Sequence, residues 1–419
     1  MVVAEADTHR AIDAVWRIES PRLIAGLARL VRDVGTAEDL AHDALVAALE
    51  EWPRRDLPRN PGAWLMATGK RRAIDLLRRR RMLDRKHEQL GRELDGARGV
   101  DDIDAALDDD IGDDLLRLMF TACHPVLSVD ARVALALRLL GGLTTAEIAR
   151  AFLVPEPTIA QRIVRAKKAL ARARVPFEVP RGPDRRDRLS AVLAAIYLVF
   201  NEGYAATSGD DWMRPALCEE ALRLGRILAT LMPDEAEVHG LVSLMEIQAS
   251  RLKARTTAGG EPILLPEQDR ARWDRLLIRR GLAALDRAEA LGGDGPYALQ
   301  AAIAACHARA ASAGETDWAR IVFLYERLAL VAPSPVVALN HAVAVSMAFG
   351  PALGLTLVDE LRSEPALGGY HLLPGVRGDL LRRLGRLEEA RVEFEHAATL
   401  AGNARERQLL LARAQACGP

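Results

Sequence analysis

The sequence predicts an all-α fold of several domains, and three observations support this prediction. Apolar residues, led by Ala and Leu, make up 50% of the 419 residues, whereas aromatic residues make up only 4%. Apolar positions recur at spacings of three and four, and Gly and Pro fall at turn-like intervals. Because 419 residues exceed the size of one compact core, we expect two small helical domains, an acidic linker between them and a larger helical, repeat-like domain.

The first predicted domain comprises residues 1–84 and contains helices of opposite charge. Apolar spacing predicts one helix around residues 23–31 and a second around residues 40–48. The second helix is acidic on the side that we expect to be exposed, which carries Glu38, Asp39, Asp43, Glu50 and Glu51. A third helix starts at Pro61, and the nine Lys and Arg residues at positions 70–86 indicate a phosphate-binding surface. Two charged faces of opposite sign predict two partners, one of them a protein.

An acidic linker is predicted at residues 85–112. The adjoining sequence "DDIDAALDDDIGDD" contains eight Asp among fourteen residues, and such like charges repel one another. We therefore expect a flexible or weakly helical segment up to Asp114, after which an apolar helical pattern resumes at Leu115.

The second predicted domain comprises residues 113–176 and includes "GGLTTAEIARAFLVPEPTIAQRIVRAKKAL" at 141–170. Thr144 and Glu147 fit a capping box, and Pro155 and Pro157 fit the first turn of the next helix. That helix is expected to bury Ile159, Ile163, Ala166 and Leu170 and to expose Gln161, Arg162, Arg165, Lys168 and Arg172. Such a helix fits the major groove of duplex DNA, although a solvated basic face would give the same pattern.

The third predicted domain comprises residues 189–419, after a proline-rich linker at 177–188. Gly314, Gly350 and Gly385 are spaced by 36 and 35 residues, a period that is typical of stacked helical hairpins. In the last unit Gly, Ala, Phe and Ala fall at the offsets of a tetratricopeptide repeat, and Gly314, Ala319 and Phe323 repeat the first three. The middle unit has Leu355 at the small position. A general helical bundle is the alternative.

Taken together, these stretches resemble an extracytoplasmic function sigma factor of the sigma-70 family. "TAEDLAHDALVAALEEW" resembles region 2.2, "NPGAWLMATGKRRAIDLLRRR" resembles regions 2.3 and 2.4, and "LTTAEIARAFLVPEPTIAQRIVRAKKAL" resembles region 4.2. The resemblance covers residues 9–174. The remaining chain, with "YLVFNEGYAA", "DRARWDRLLIRRGL" and "GPYALQAAIAACHA", resembles the long tetratricopeptide-like extension of one subgroup.

The resemblance implies partners and site residues. The partners would be promoter DNA and core RNA polymerase, through its β′ clamp helices and β flap. The core contact would involve Asp39, Leu40 and Asp43. The −10 element would be opened and held by Asn60, Pro61, Lys70, Arg71 and Asp75. The −35 element would be read by Ala160, Gln161, Val164 and Arg165, with Arg162 and Lys168 on the phosphates. The acidic linker would follow the polymerase channels, or act only as a solvated tether.

Three positions depart from the family pattern. Most members have Asn where Arg71 stands, which leaves the preferred −10 base open. Most also have Gly at the positions of Leu153 and Pro157, so we expect a different or slightly strained turn before the reading helix. Trp64 is expected to pack in the core, with base stacking as the alternative.

Several classes of function are not expected. No stretch fits a membrane span or a signal peptide, which predicts a cytoplasmic protein without a membrane partner. Cys123, Cys218, Cys306 and Cys417 lack metal-ligand spacing, and we expect buried thiols. His124 and His307, each beside a cysteine, form no recognisable ligand set. No catalytic motif stands out, so we expect neither an enzyme nor a cofactor.

Two questions remain open in the sequence. The polar residues of "FNEGYAA" and the following Asp211 and Trp212 either line a ligand pocket or are bonded into a helix end near Gly203. The whole chain is predicted to be a sigma factor whose extension modulates its activity, through an intramolecular contact or a protein partner. The alternatives are a helix-turn-helix regulator that never binds core polymerase, and a helical-repeat scaffold.

Overall fold

Helices form almost all regular structure in the computed structural model of this chain. The structure describes residues 2–55, 57–90, 111–152, 154–182, 184–206, 212–257 and 259–418, and these ranges contain no β-strand. They divide into two compact units, residues 1–195 and residues 196–419. The predicted all-α fold is confirmed for this part of the chain.

The first unit contains seven α-helices and the beginning of an eighth within the described ranges. They are α1 (Val2–Val31), α2 (Val34–Arg55), α3 (Pro61–Leu90), α4 (Ile111–Ala122), α5 (Val129–Leu139), α6 (Thr145–Phe152), α7 (Glu156–Arg172) and α8 (Asp184–Tyr204). The division between the units falls inside α8, after Ala195. Most of the predicted linker at 177–188 therefore precedes α8, and its last residues begin that helix.

Helices α1, α2 and α3 share one core because α2 presents a stripe of small residues. Ala37, Ala41, Ala44 and Ala48 are fully buried, which allows close approach of the neighbouring helix. Leu27 of α1 and Ala73 of α3 are also fully buried. The three helices therefore pack around one core, which fixes the orientation of the exposed faces of α2 and α3.

Helix α4 begins earlier than the charge pattern predicts. It starts at Ile111, and Asp114 is 4% exposed, so the last residues of the aspartate run are part of the folded unit. Asp114 accepts a 2.6 Å hydrogen bond from Arg117 and lies 3.1 Å from Nε of Arg29 in α1. Asp114 lies in the predicted second domain, which starts at residue 113, and only the expected flexibility up to Asp114 is wrong, because these cations compensate the carboxylate. Residues 91–110 lie outside the described ranges.

The second unit continues from α8 as a series of helices, most of which pack against the next helix along the chain. They are α9 (Pro215–Leu231), α10 (Ala236–Ala249), α11 (Arg275–Ala290), α12 (Pro296–Arg309), α13 (Trp318–Val331), α14 (Pro335–Phe349), α15 (Pro351–Glu360), α16 (Leu372–Arg383), α17 (Leu387–Leu400) and α18 (Ala404–Gln415). Short 3-10 helices, among them Leu252–Ala254 and Arg270–Arg272, lie between α10 and α11. None of the described helices is both long and apolar enough to cross a lipid bilayer.

The three glycines of the predicted repeat each precede the first helix of a hairpin. Gly350 and Gly385 have positive φ, whereas Gly314 lies in a short 3-10 helix before α13. In the last hairpin Ala390, Phe394 and Ala397 are fully buried, as a repeat requires. In the first hairpin Ala319 is exposed and Phe323 is 46% exposed, and Ile321 and Leu324 are buried instead. The predicted register of Ala319 and Phe323 is therefore wrong, although the hairpin exists.

Candidate functional site

Helix α7 separates an apolar face from a polar one, as its sequence predicts. Ile159, Ile163, Ala166 and Leu170 are at most 5% exposed and anchor the helix. The opposite side carries the exposed side chains of Ala160, Gln161, Val164, Arg165 and Lys168. These are the residues predicted to face the −35 element, and the structure brings them together on one surface.

Two hydrogen bonds between Thr144 and Glu147 cap the start of α6, the helix that precedes α7. The backbone N–H of Glu147 donates to Thr144 Oγ1 at 3.1 Å, and the N–H of Thr144 donates to Glu147 Oε2 at 2.8 Å. This confirms the predicted capping box at α6. Pro157 lies in the first turn of α7, where its missing N–H costs no helical hydrogen bond. Leu153, the other departure in this turn, lies outside the described residues.

The side chains on the polar face of α7 make only weak contacts with other described side chains. Arg165 donates to Gln161 Oε1 at 3.4 Å, and Arg162 lies 3.2 Å from Asp130 of α5. Lys168 is exposed. Weak exposed pairs of this kind are exchanged at little cost for contacts to bases or phosphates.

Helix α3 presents the second basic surface. Arg71, Asp75 and the run Arg78–Arg81 are exposed, and Lys70 is half-buried. Asn60 Oδ1 accepts a 3.0 Å hydrogen bond from the N–H of Ala63, so Asn60 caps this helix, with Pro61 as its first residue. Trp64 is half-buried, and its ring meets that of buried Trp52 edge-on at 5.4 Å. The packing of Trp64 agrees with a core position.

Helix α2 exposes only some of its predicted partner-binding residues. Asp39 and Asp43 are exposed, and Asp43 lies 3.5 Å from Arg72 of α3. Leu40 is only 7% exposed, so it belongs to the core of the unit rather than to an outer surface. Its burial agrees with the apolar spacing of α2, and the place of Leu40 at the core polymerase contact stays a prediction.

Glu38 is the acidic residue that the sequence placed wrongly. It was predicted on the exposed side of α2, but it is 3% exposed. Its Oε1 accepts a 2.7 Å hydrogen bond from Nε of Arg138 in α5, and its Oε2 forms an ion pair with Nζ of Lys167 in α7. His42 joins this group: Nδ1 donates to the Glu38 carbonyl, and Nε2 accepts from Arg138, each at 2.8 Å.

The electrostatics of Glu38 follow from these contacts. Burial raises the pKa of the Glu38 carboxyl, but Lys167 and Arg138 outweigh burial and hold that pKa below its ordinary value. A signal for its burial exists in the sequence, since Glu38 stands four residues after Val34 and three before Ala41, which are both buried. The cations that compensate Glu38 lie 100 and 129 residues further along the chain.

The cysteines and histidines give no metal site in the described ranges. No group of three or more His, Cys, Asp or Glu side chains there is arranged to hold a metal ion. Cys123, Cys218 and Cys417 are buried free thiols, as predicted, whereas Cys306 is only half-buried. Burial raises the pKa of Cys123 and of Cys218 to about 12, which makes both thiols unreactive.

Comparison with known proteins assigns families to three parts of the chain. Residues 16–82 match the model of sigma-70 region 2, and residues 117–170 match that of sigma-70 region 4. Residues 188–289 match a family of unknown function, DUF6596. An uncharacterized protein of Rhizobium meliloti (strain 1021) is 45% identical over 407 residues, which cover 94% of this chain and 93% of the relative. The basic faces of α3 and α7 thus lie inside the two sigma-70 regions.

Proposed function

The chain belongs to the sigma-70 family as a sigma factor of the extracytoplasmic function type with a long helical extension, and we propose that it reads the −35 element as duplex DNA and melts the −10 element. Core RNA polymerase and promoter DNA are its partners. The observation that carries the proposal is the exposed polar face of α7. The opposite face of the same helix is anchored by four buried apolar residues. A helix anchored by one face and free on the other fits the major groove.

In duplex recognition, Gln161 and Arg165 act as base readers. Both side chains are exposed and one helical turn apart, and amide and guanidinium groups bind base edges in pairs of hydrogen bonds. Ala160 and Val164 supply apolar contacts beside them, and Arg162 and Lys168 neutralise phosphates.

At the −10 element, α3 provides both a cap and a basic surface. Asn60 and Pro61 start the helix, and Lys70, Arg71 and Asp75 lie along it before the exposed arginines. Holding an extruded base costs a few kcal/mol, and contacts from this helix to the base and the single strand offset that cost. The core polymerase contact is assigned to exposed Asp39 and Asp43, which suit a partner surface with basic residues.

The extension modulates this activity in our proposal. Its basis is that residues 188–289, which match a family of unknown function, stand in the same chain as the two sigma-70 regions. Stacked helical hairpins commonly bind a peptide or protein, which gives the extension a means of responding to a partner.

Run-off transcription on a genomic promoter library, with purified core polymerase and with or without the protein, tests the proposal. We expect transcripts that depend on the added protein and share a pair of upstream elements. If core polymerase binds the protein and no promoter fires, the proposed promoter recognition is wrong for the free protein. If core polymerase does not bind, the assignment to transcription initiation itself fails.

A further inference from the structure

Three arginines of the second unit lie in one buried row with aromatic rings between them. Arg255 stacks on the ring of Tyr204, with its Cζ 3.5 Å from the ring centroid, and Arg251 lies 5.7 Å from the same ring. Arg251 also lies 5.9 Å from the ring of Trp273, and Arg270 lies 5.0 Å from it. The three guanidinium groups thus share two aromatic rings. Each of these arginines is at most 9% exposed.

This row joins motifs that are far apart in the chain. Tyr204 belongs to "FNEGYAA", and Arg270 and Trp273 belong to "DRARWDRLL". Of the other polar residues at the first motif, Glu202 is ion-paired with Arg214, and Trp212 stacks on Arg255 at 4.4 Å. Asp211 lies outside the described residues. Part of this motif is therefore bonded into the helix end, and Tyr204 and Trp212 flank the arginines.

Among the residues that the structure describes, no carboxylate is paired with the positive charges of this row. Arginine stays protonated in proteins, and no ion pair within 4.0 Å joins Arg251, Arg255 or Arg270 to an acidic group in the described chain. Glu406 and Glu315 act on Arg255 and Arg270 only from a greater distance. Burial, Arg251 and Arg270 lower the pKa of nearby His307 to about 4, so this imidazole stays neutral and adds no charge.

The outer two arginines donate hydrogen bonds to backbone carbonyls, whereas the described residues offer no such acceptor to the central arginine. Arg270 donates to the carbonyls of His307 and Ala310 at 2.7 and 2.6 Å, and Arg255 donates to the carbonyl of Tyr204. Arg251 has no hydrogen-bond acceptor in the described chain. Within the described ranges, three buried N–H donors of this row have no acceptor: Nε of Arg251, Nε of Arg270 and Nε1 of Trp273.

We propose that Arg251, flanked by Tyr204 and Trp273 and supported by Arg255 and Arg270, binds a small-molecule oxyanion, either a carboxylate or a phosphate. The three unpartnered groups of this row are all donors, two of them on positively charged side chains, so an acceptor of negative charge would satisfy them. A guanidinium binds both oxygens of a carboxylate or phosphate at once, and the aromatic faces favour a flat ligand beside it. This site goes beyond the proposed function, and its binding is measured without polymerase or DNA.

The test uses the full-length protein in chloride buffer with two probes, sodium phosphate and sodium acetate, at an ionic strength held constant with sodium chloride. Calorimetric titration gives the affinity, and the thermal unfolding midpoint gives an independent measure of binding. We expect saturable binding of at least one probe. Binding of phosphate alone identifies a phosphate ligand, and binding of acetate alone identifies a carboxylate ligand.

Two variants and a matched control assign the binding to Arg251. Arg251→Gln is expected to weaken binding by about tenfold or more, the effect of losing a charge-assisted hydrogen-bond pair. Arg272→Gln removes the same charge from an exposed position beside Arg270 and is expected to bind as the wild type does. If Arg251→Gln does not fold, Arg251→Lys keeps the charge but loses the paired donors, and it should still weaken binding.

Either of two results overturns the proposal. One is the absence of saturable binding of both probes to the wild-type protein. The other is a folded Arg251 variant with the affinity of the wild type, because the arginine would then be purely structural. Neither result bears on transcription, so the proposed sigma function stands or falls separately.

Discussion

The Glu38 carboxylate links three helices of the first unit through single side chains. It is 3% exposed and pairs with Arg138 and Lys167, so its removal leaves two cations in a poorly solvated place. We expect Glu38→Gln to destabilise the packing of α5 and α7 by about 3 kcal/mol, the lower end for breaking a buried ion pair. Hydrogen exchange measured on peptides from residues 129–172 reports this local opening directly.

The neighbouring residue provides the control, and pH provides a second measurement. Asp39→Asn removes an exposed charge and should leave exchange unchanged. Because the pKa of Glu38 is lowered in the folded state, its contribution is present above the ordinary value of 4.5 and is lost as the pH falls through the lower folded pKa. Equal acid sensitivity of wild type and Glu38→Gln would contradict this assignment.

Arg165 and Lys168 are expected to differ in what they do at DNA, although both are exposed cations of α7. Arg165→Ala should cost about 1–3 kcal/mol in binding to the cognate promoter and relax specificity at one base pair. Lys168→Ala should weaken binding to all sequences alike and reduce the salt slope by about one. Holoenzyme binding to promoter variants at several salt concentrations separates the two. Identical profiles for both variants would contradict the distinction between a base reader and a phosphate-binding residue.

At the scale of the element, α3 carries four consecutive exposed arginines, Arg78–Arg81. Replacing all four by Gln should weaken promoter opening and reduce the salt slope by about 0.7–0.9 for each phosphate that the helix no longer neutralises. Core polymerase binding should not change, because Asp39 and Asp43 lie on α2. Permanganate footprinting of the −10 region and a core-binding assay measure the two effects. A loss of core polymerase binding by this variant would contradict the assignment of the core contact to α2.

Helices α16 and α17 approach closely because Gly378 has no side chain. A Cβ at this position would lie 2.9 Å from Cε1 of fully buried Phe394 and 3.2 Å from the carbonyl of Ala390. Gly378→Ala should destabilise this hairpin by about 1–3 kcal/mol through overpacking. On the same helix, a Cβ at Gly375 would lie no closer than 3.7 Å to its neighbours, so Gly375→Ala should be neutral or stabilising by about 0.5–1 kcal/mol. Hydrogen exchange over residues 372–415 compares the stability of the two variants. Equal destabilisation by Gly378→Ala and Gly375→Ala would exclude the steric explanation.

At the scale of the whole molecule, the net charge of −1 gives no general affinity for nucleic acid. In our proposal, binding therefore depends on the local surfaces of α3 and α7, and the extension controls the use of these surfaces. A chain that ends after Ala206 keeps helix α8 whole and removes the hairpins that follow it. We expect its promoter-dependent transcription to differ from that of the full chain by about fivefold or more, the lower end of typical coupling between sites. Unchanged transcription with both chains folded would show that the extension is not a modulator.

The sequence by itself determined the helical architecture, the capping box of α6, both faces of α7 and the basic run of α3. All of these depend on residues within one or two helical turns, where spacing and charge decide the structure. The hairpins that follow Gly350 and Gly385 were also predictable, because each of these glycines ends the preceding helix with a positive φ.

Only the tertiary structure decided the surroundings of Glu38 and the register of Phe323. It also decided that Arg251, Arg255 and Arg270 lie against the rings of Tyr204 and Trp273. Tyr204 belongs to a different sequence motif from Arg270 and Trp273. Each of these facts depends on which helix packs against which, and a charge is buried or exposed according to partners far away in the chain. Local periodicity carries no information on such partners, because it repeats within a single helix.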